Sequence, residues 1–338
     1  MVTSRPAPEH RRVALLAVAA CDNRCLFCCR EGLDAPAVAA DALAAGLDEA
    51  RARADEVTFV GGEPSLLGDG DGLVRAVAAA RERGFRAVGI QSHGRHLAAL
   101  VDRLVDAGLS DLHLSIHGDS AAVHDYHVGV DGAFAAVGKT LAAARRRGLE
   151  VAVTTVLTRS NLRNLAALPG WLRERGAAAW CVAVPAVAGG ARRRFEAVVP
   201  RLGVAIPHAL RALELARKRR LPAWIAGAPH CLLGPYRGLA LADDPARSYA
   251  AACTGCEARA SCPGLDPIYL ARFHGDEVRP DRLSPAQADA TSRRERDRLR
   301  RLFVGPGALA IGGRSLATIV DPPRSAGARQ RQPQEVGP

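Results

Sequence analysis

Three cysteines near the start of the chain, Cys21, Cys25 and Cys28, have a spacing that suits a metal cluster. Cysteine thiolates are the usual ligands of iron–sulfur clusters, and a four-iron cluster held entirely by protein uses four of them. Three cysteines would leave one iron open to a small molecule, just as catalytic metal sites keep a vacant position where structural sites are closed. The spacing C-x3-C-x2-C therefore predicts a catalytic cluster, with a zinc site or a set of buried thiols as the alternative.

The elements that must position these cysteines are predicted to form a parallel α/β fold, because apolar runs alternate with alanine- and arginine-rich stretches. The predicted strands are Val13–Ala20, Glu56–Val60, Ala87–Gln91, Asp111–Ile116, Glu150–Leu157 and Ala178–Val184. The predicted helices are Ala35–Ala54, Gly70–Arg83, His96–Ala107, Phe134–Arg147 and Leu162–Arg175. Since the first strand runs directly into Cys21, the cysteines lie at its carboxyl end, where barrel enzymes carry their catalytic residues.

A second motif, Gly61-Gly62-Glu63-Pro64, follows the next predicted strand. Alone it would indicate only a turn. Together with C-x3-C-x-aromatic-C, in which the aromatic residue is Phe27, it resembles the radical S-adenosylmethionine (radical SAM) superfamily. The resemblance implies a partial (β/α)6, TIM-like barrel and a [4Fe-4S] cluster on the three cysteines. It also implies that S-adenosylmethionine binds the open iron and is cleaved to a 5′-deoxyadenosyl radical, which abstracts hydrogen from a substrate.

The same resemblance implies which residues contact S-adenosylmethionine. The Gly-Gly-Glu-Pro segment contacts the methionyl amino group, and Ser115 faces the ribose or the methionyl carboxylate. Two histidines at the ends of strands, His93 and His117, could orient a substrate or could be hydrogen-bonded structural residues. The implied cofactor-binding residues are Phe27, Gly61, Gly62, Glu63, Pro64, Ser92, Ser115 and Thr155.

A second cysteine set lies in the C-terminal third and consists of Cys231, Cys253, Cys256 and Cys262. Four thiolates could close a whole iron–sulfur cluster or a zinc site, since both use the same number of ligands. The set resembles the SPASM and twitch modules. The resemblance implies an auxiliary cluster at these cysteines, and it favours a second [4Fe-4S] cluster over a zinc ion. Asp266 stands where the full SPASM pattern has another cysteine, so at most one auxiliary cluster is expected. Cys29 and Cys181 are predicted not to be ligands.

The chain is expected to divide into a barrel and C-terminal additions. We predict a radical SAM partial barrel at 1–190, a helical connector at 191–230, a cysteine module at 231–279, a helix with an apolar segment at 280–320 and a disordered tail at 321–338. Within the connector, a helix is predicted near Pro207–Arg220 with Pro207 in its first turn. Ser284-Pro285 is predicted to cap the next helix.

Composition indicates the cellular compartment and the kinds of partner to expect. Nine cysteines, with no recognisable signal peptide and no apolar stretch long enough to span a bilayer, indicate a cytoplasmic protein without a membrane. The net charge of +11 makes nucleic acid a possible partner, but 44 of the 46 basic residues are arginine and acidic residues are interspersed, so a solvated surface is favoured. The resemblance implies an electron donor such as flavodoxin or ferredoxin.

The leading functional hypothesis is a radical SAM enzyme that modifies a peptide or protein side chain, because family members with auxiliary clusters often do so. A second hypothesis keeps the chemistry but takes RNA, a nucleotide or a small metabolite as substrate. A third is a non-catalytic zinc or iron–sulfur binding protein. No general acid, general base or radical-relay residue is identified from the sequence.

Overall fold

The computed structural model describes residues 12–30, 38–241, 248–280, 293–303 and 310–311, and within them an α/β partial barrel. One open parallel sheet has the strand order β7-β6-β5-β4-β3-β2-β1-β8. The strands are β1 Arg12–Val18, β2 Glu56–Gly61, β3 Ala87–Ser92, β4 Asp111–Ser115, β5 Glu150–Val156, β6 Ala179–Ala183, β7 Ala223–Ala226 and β8 Ala310–Ile311.

Most of the helices cover the outer face of this sheet, and the last one packs against its inner face. The helices are α1 Ala40–Arg53, α2 Asp71–Glu82, α3 Val101–Asp106, α4 Ala121–Val128, α5 Ala133–Arg146, α6 Leu168–Glu174, α7 Gly189–Arg193, α8 Phe195–Val198, α9 Leu202–Lys218, α10 His230–Leu233, α11 Pro267–Phe273 and α12 Arg293–Arg300. Alternate strand residues such as Phe59, Ile90 and Leu112 are fully buried in the core that these helices complete. The intervening residues face the inside of the curved sheet, because side chains alternate between the two faces of a strand.

The six strands predicted from the sequence are confirmed, with ends that differ by up to two residues. The sheet contains two further strands that the sequence did not reveal. β7 has four residues and β8 has two, which is too short for either to show alternation. β7 lies within the stretch predicted as a helical connector and pairs with β6 from Trp180↔Ala223 to Ala183↔Ala226.

Helix α9 begins at Leu202, so the prediction that Pro207 lies in its first turn was wrong and Pro207 lies inside the helix. Contacts with the C-terminal region explain the earlier start. The Leu202 amide donates to the hydroxyl of Tyr269 at 2.7 Å, and the Gly203 amide donates to Glu277. These bonds supply acceptors for the first helical amides, which have no partner within a helix.

The end of the barrel at the strand amino termini is closed by charges and by the C-terminal helix. Arg12 binds both carboxylate oxygens of Asp111 at 2.7 Å and Glu56 at 2.9 Å. Beyond them, Phe303 packs edge-on against His113, with ring centroids 5.3 Å apart, and against Trp224. The interior at this end of the barrel is therefore filled by protein side chains. We refer to this end as the lower end and to the end at the strand carboxyl termini as the upper end.

Two predictions, the Ser284-Pro285 cap and the disordered tail at 321–338, lie outside the described residues. Within the described residues, every helix is too short or too polar to cross a membrane.

Candidate functional site

The three N-terminal cysteines lie together on the loop that follows β1, as predicted, and neighbouring elements hold this loop along its whole length. At its start, the Glu63 amide donates to the carbonyl of Ala20 at 2.8 Å. In its middle, the Leu26 amide donates to the carbonyl of His127 at 3.0 Å. At its end, the Gly190 amide donates to the carbonyl of Cys28 at 2.7 Å. Three separate parts of the fold therefore fix the cysteine backbone.

The glycines of the Gly-Gly-Glu-Pro segment are required by its close approach to β1. A Cβ atom on Gly61 would lie 1.9 Å from the carbonyl oxygen of Val18, and one on Gly62 would lie 2.1 Å from that of Ala20. Side chains cannot occupy such positions, so only glycine lets the two backbones meet. The segment therefore lies directly against the start of the cysteine loop.

The side chains of Glu63 and Ser92 are hydrogen-bonded to each other. Glu63 is fully buried. Its carboxylate accepts from the Ser92 hydroxyl at 2.7 Å, from the Ser65 amide at 3.0 Å and from the His93 amide at 2.9 Å. These bonds join the end of β2 to the end of β3. Both side chains thus position the backbone of the site. Because the side chains are already hydrogen-bonded, the backbone is the part of these residues that can contact a ligand.

A polar cluster around Asp22 was missed by the sequence reasoning, which had singled out only His93 from it. Asp22 contacts Nε2 of His93 at 2.8 Å, Nε2 of His96 at 2.7 Å and Arg95 at 3.0 Å. The hydrogen bond with His93, followed by that with His96 and by the positive charge of Arg95, holds the pKa of Asp22 well below its usual range. The signal in the sequence was the run His93-Gly94-Arg95-His96, in which two imidazoles and a guanidinium follow one strand end.

Near the carboxyl ends of β4 and β5, the side chains that face the inside of the barrel are uncharged. Ser115 and Thr154 are in register on β4 and β5 and share the inward face, where both are half-buried. Thr155 points the other way: its hydroxyl donates to the carbonyl of Ile116 at 2.6 Å and accepts from the Trp180 indole at 2.9 Å. The structure therefore brings Ser115 into the interior, leaves Thr155 buried behind the sheet, and adds Thr154, which strand alternation could have identified.

Three buried histidines, His117, His124 and His127, lie beside Phe27 of the cysteine loop or stack on one another. The rings of Phe27 and His117 lie 4.4 Å apart, and His124 stacks on His117 at 5.7 Å. Burial lowers the pKa of His124 to about 4 and holds the pKa of His117 well below its usual value, so these rings are neutral near pH 7. Because Nδ1 of His117 accepts from the Val156 amide at 3.3 Å, its proton lies on Nε2. Phe27 is thus held in place by ring contacts behind Cys28.

The donor set of the loop fits an iron–sulfur cluster. The three thiols are half-buried, and burial raises the pKa of Cys21 to about 11 and that of Cys25 further. Thiols in such a position stay protonated until a metal binds and displaces the protons. Among the described residues, Cys21, Asp22 and His93 also place one ligand atom each within 4.8 Å of one another, but Asp22 and His93 are already hydrogen-bonded to each other.

The four C-terminal cysteines converge on a second pocket, together with Tyr249. Among the described residues, no three of these four sulfur atoms lie within 4.8 Å of one another. Four thiolates around one pocket could hold a zinc ion or a four-iron cluster, since both use four ligands. Asp266 lies outside the set: its carboxylate caps α11 through the Ile268 amide at 2.8 Å and accepts from the Val187 amide at 3.1 Å.

Comparison with known proteins finds one family model that matches most of the N-terminal half. Residues 16–167 match the Radical SAM superfamily. An AdoMet-dependent heme synthase from Nitratidesulfovibrio vulgaris is 30% identical over 141 residues, which cover 39% of this chain and 38% of that protein. A GTP 3′,8-cyclase from Klebsiella pneumoniae is 31% identical over 178 residues, which cover 46% of this chain and 49% of that protein. The matches therefore span about half of these relatives or less.

The fold is also that of a solved structure, Streptococcus suis SuiB bound to S-adenosylmethionine. The TM-score is 0.54 at 17% sequence identity, with 66% of this chain and 52% of SuiB covered. At this identity the likeness concerns the fold alone.

Proposed function

We propose that this chain is a radical SAM superfamily enzyme, as its match to that superfamily over residues 16–167 supports, and that it uses Cys21, Cys25 and Cys28 to bind a [4Fe-4S] cluster. When bound, the cluster with S-adenosylmethionine supplies a 5′-deoxyadenosyl radical that takes a hydrogen atom from the substrate. The chain itself holds both partners and shapes the space beside them. The observation that carries this proposal is the contact of the Gly-Gly-Glu-Pro backbone with the start of the cysteine loop.

In this arrangement the backbone of Gly61–Pro64 is the surface for the methionyl group, and Ser115 and Thr154 line the way inward. Glu63 keeps the segment in place through the ends of β2 and β3. Phe27 is packed against His117 and orients the turn that carries Cys28. Since His117 and His124 are neutral donors, we do not assign them as acids.

We propose that the substrate is a peptide or protein side chain. Near the carboxyl ends of the strands, the residues that face the inside of the barrel carry no charge. They are Leu16, Val60, Gln91, Ser115, Thr154, Val156, Ala183 and Ala226. A nucleoside triphosphate or a polycarboxylate would need cations there to offset its charge. A neutral side chain entering from the carboxyl end of the barrel would not. The relatives named as heme synthase and GTP cyclase keep a small metabolite as the alternative.

The chemistry is tested by anaerobic reconstitution with iron and sulfide, followed by S-adenosylmethionine and dithionite. We expect 5′-deoxyadenosine from the wild type and from Cys29→Ala, and none from Cys28→Ala. Cys29 is the matched control because it is the adjacent thiol and is not assigned as a ligand. Equal product from the Cys28 and Cys29 variants would contradict the proposal.

The substrate class is tested by adding candidate substrates to the reconstituted enzyme. A peptide encoded beside the gene should increase 5′-deoxyadenosine formation and should itself change in mass, whereas GTP should do neither. Stimulation by GTP, with no effect of the peptide, would favour the metabolite alternative.

We also propose that Cys231, Cys253, Cys256 and Cys262 hold one auxiliary [4Fe-4S] cluster. Elemental analysis should then give roughly eight iron atoms per chain by ligand arithmetic, and roughly four in a Cys256→Ala variant. Zinc in place of half of the iron would assign a zinc site instead. Zinc with little iron would favour a non-catalytic metal-binding protein.

A further inference from the structure

A group of exposed arginines adjoins the end of the cysteine loop. The group consists of Arg192, Arg193 and Arg194, at the end of α7 and directly after it. These arginines follow Gly189 and Gly190, which make the closest contacts between α7 and the loop. A Cβ atom on Gly189 would lie 2.7 Å from the carbonyl oxygen of Cys28. The charges are thus carried by the element that touches the third predicted ligand.

Two of these charges are available to a partner. Among the described residues, neither Arg192 nor Arg194 takes part in an ion pair, and both are exposed. The nearest acidic residue along the chain, Glu196, is itself offset by Arg272 at 3.5 Å. Some exposed arginines elsewhere are neutralised: Arg147, for example, binds Asp102 and Asp106. Among the described residues, Arg192 and Arg194 therefore add two positive charges without an ion pair to the surface beside the loop.

The position of this surface separates it from the predicted cofactor contacts. The Gly-Gly-Glu-Pro segment meets the cysteine loop at Ala20, at its start. Helix α7 meets the loop at Cys28, at its end. A protein bound to Arg192 and Arg194 would come close to the cluster without entering the barrel. That arrangement suits a partner that delivers electrons to the cluster. It suits less well a substrate protein, whose side chain must enter the barrel to be modified.

We propose that Arg192 and Arg194 form the docking surface for an acidic one-electron donor protein of the flavodoxin class. The proposal rests on the proposed function, since the cluster must receive an electron before S-adenosylmethionine is cleaved. One electron passes from the reduced flavin of the donor, which is oxidised by one electron, to the cluster, which is reduced by one electron. Complementary charge accelerates such encounters by about 10- to 1000-fold, and salt weakens them.

The test compares two charge reversals of equal size. The first is Arg192→Glu/Arg194→Glu. The control is Arg146→Glu/Lys218→Glu, which changes exposed cations in the last turns of α5 and α9, near the amino ends of the strands. Each reconstituted variant is assayed for 5′-deoxyadenosine with dithionite and with reduced flavodoxin. Binding of oxidised flavodoxin is measured separately by biolayer interferometry at several salt concentrations.

We expect the α7 variant to lose about tenfold or more in flavodoxin affinity and in flavodoxin-driven rate at low salt. Its dithionite-driven rate should stay within about twofold of wild type, and the control variant should behave as wild type in both assays. Equal flavodoxin binding by both variants would overturn the proposal. The proposal would also be overturned if the α7 variant lost affinity for a single-stranded RNA and not for flavodoxin. That result would assign the surface to nucleic acid. A wild type that binds flavodoxin but yields no product with dithionite would count against the proposed function only.

Discussion

Two buried glutamates at opposite ends of β2 have contrasting surroundings. Glu56 opens the strand and Glu63 follows it, and both are fully buried. Glu56 is paired with three arginines: Arg12 at 2.9 Å, Arg301 at 2.9 Å and Arg86. Glu63 instead accepts from two backbone amides and one hydroxyl, with His93 as its nearest ring at 3.3 Å.

This contrast separates the structural end of the barrel from the chemical end. At the Glu56 end, charges cancel and the space is filled, as expected where a buried ion pair must be compensated. At the Glu63 end, the carboxylate aligns backbone segments and leaves the nearby interior open. A change at the lower end should therefore cost stability, and a change at the upper end should cost activity.

The largest effect is expected from removing a proposed cluster ligand at the upper end. Cys25→Ala should abolish 5′-deoxyadenosine formation and lower the iron content, because two thiolates cannot hold the site. Urea unfolding of the metal-free protein should change little, since the loop is held by its backbone contacts. A large loss of stability in the metal-free variant would show that this end is structural as well.

The second effect concerns the lower end. Arg12→Met should lower the free energy of unfolding by about 3–5 kcal/mol, because it leaves Asp111 and part of the charge of Glu56 buried without compensation. Urea titration measures the loss. The folded variant should keep its KM for S-adenosylmethionine. An increased KM with unchanged stability would reverse the assignment of the two ends.

The comparison is sharpest between the two glutamates themselves. Glu63→Gln places an amide against the amide donors of the segment, at a cost of about 1–3 kcal/mol, and should raise the KM for S-adenosylmethionine. Glu56→Gln, its matched control on the same strand, should lower stability without changing that KM. Both are read from initial rates and urea unfolding, and equal KM values would remove the distinction.

The smallest effect is a pH dependence at the lower end. Burial, with a contribution from Arg12, lowers the pKa of His113 to about 4 from an unfolded value near 6.5. The unfolded chain therefore binds more protons between these values, and stability falls as the pH decreases from 6.5 toward 4. The contribution is about 2 kcal/mol at pH 5.

This pH dependence is measured by urea unfolding at several pH values. His113→Gln should reduce the slope of stability with pH, whereas the half-exposed His208→Gln should not. An unchanged slope in the His113 variant would contradict the assignment of this proton uptake.

Local sequence patterns were enough to predict six strands of the sheet and a resemblance to one superfamily. Alternation and apolar runs indicated the strands, and the cysteine spacing with Gly61–Pro64 indicated the superfamily that residues 16–167 match. These features are local, because each depends on residues within about one strand or one turn. The family resemblance implied both Ser115, which the structure places on the inward face, and Thr155, which it places behind the sheet next to the inward-facing Thr154.

Contacts between distant residues decided the rest. The pairing of Arg12 with Asp111, the closure of the lower barrel by Phe303, and the capping of α9 by Tyr269 join residues far apart in sequence. The same holds for α7 against Cys28 and for Ser92 bound to Glu63. The sequence alone determined which strands carry the cysteines and the glycines. Only tertiary packing determined that the Glu63 side chain stabilises the site from behind, because that depends on which strand ends become neighbours.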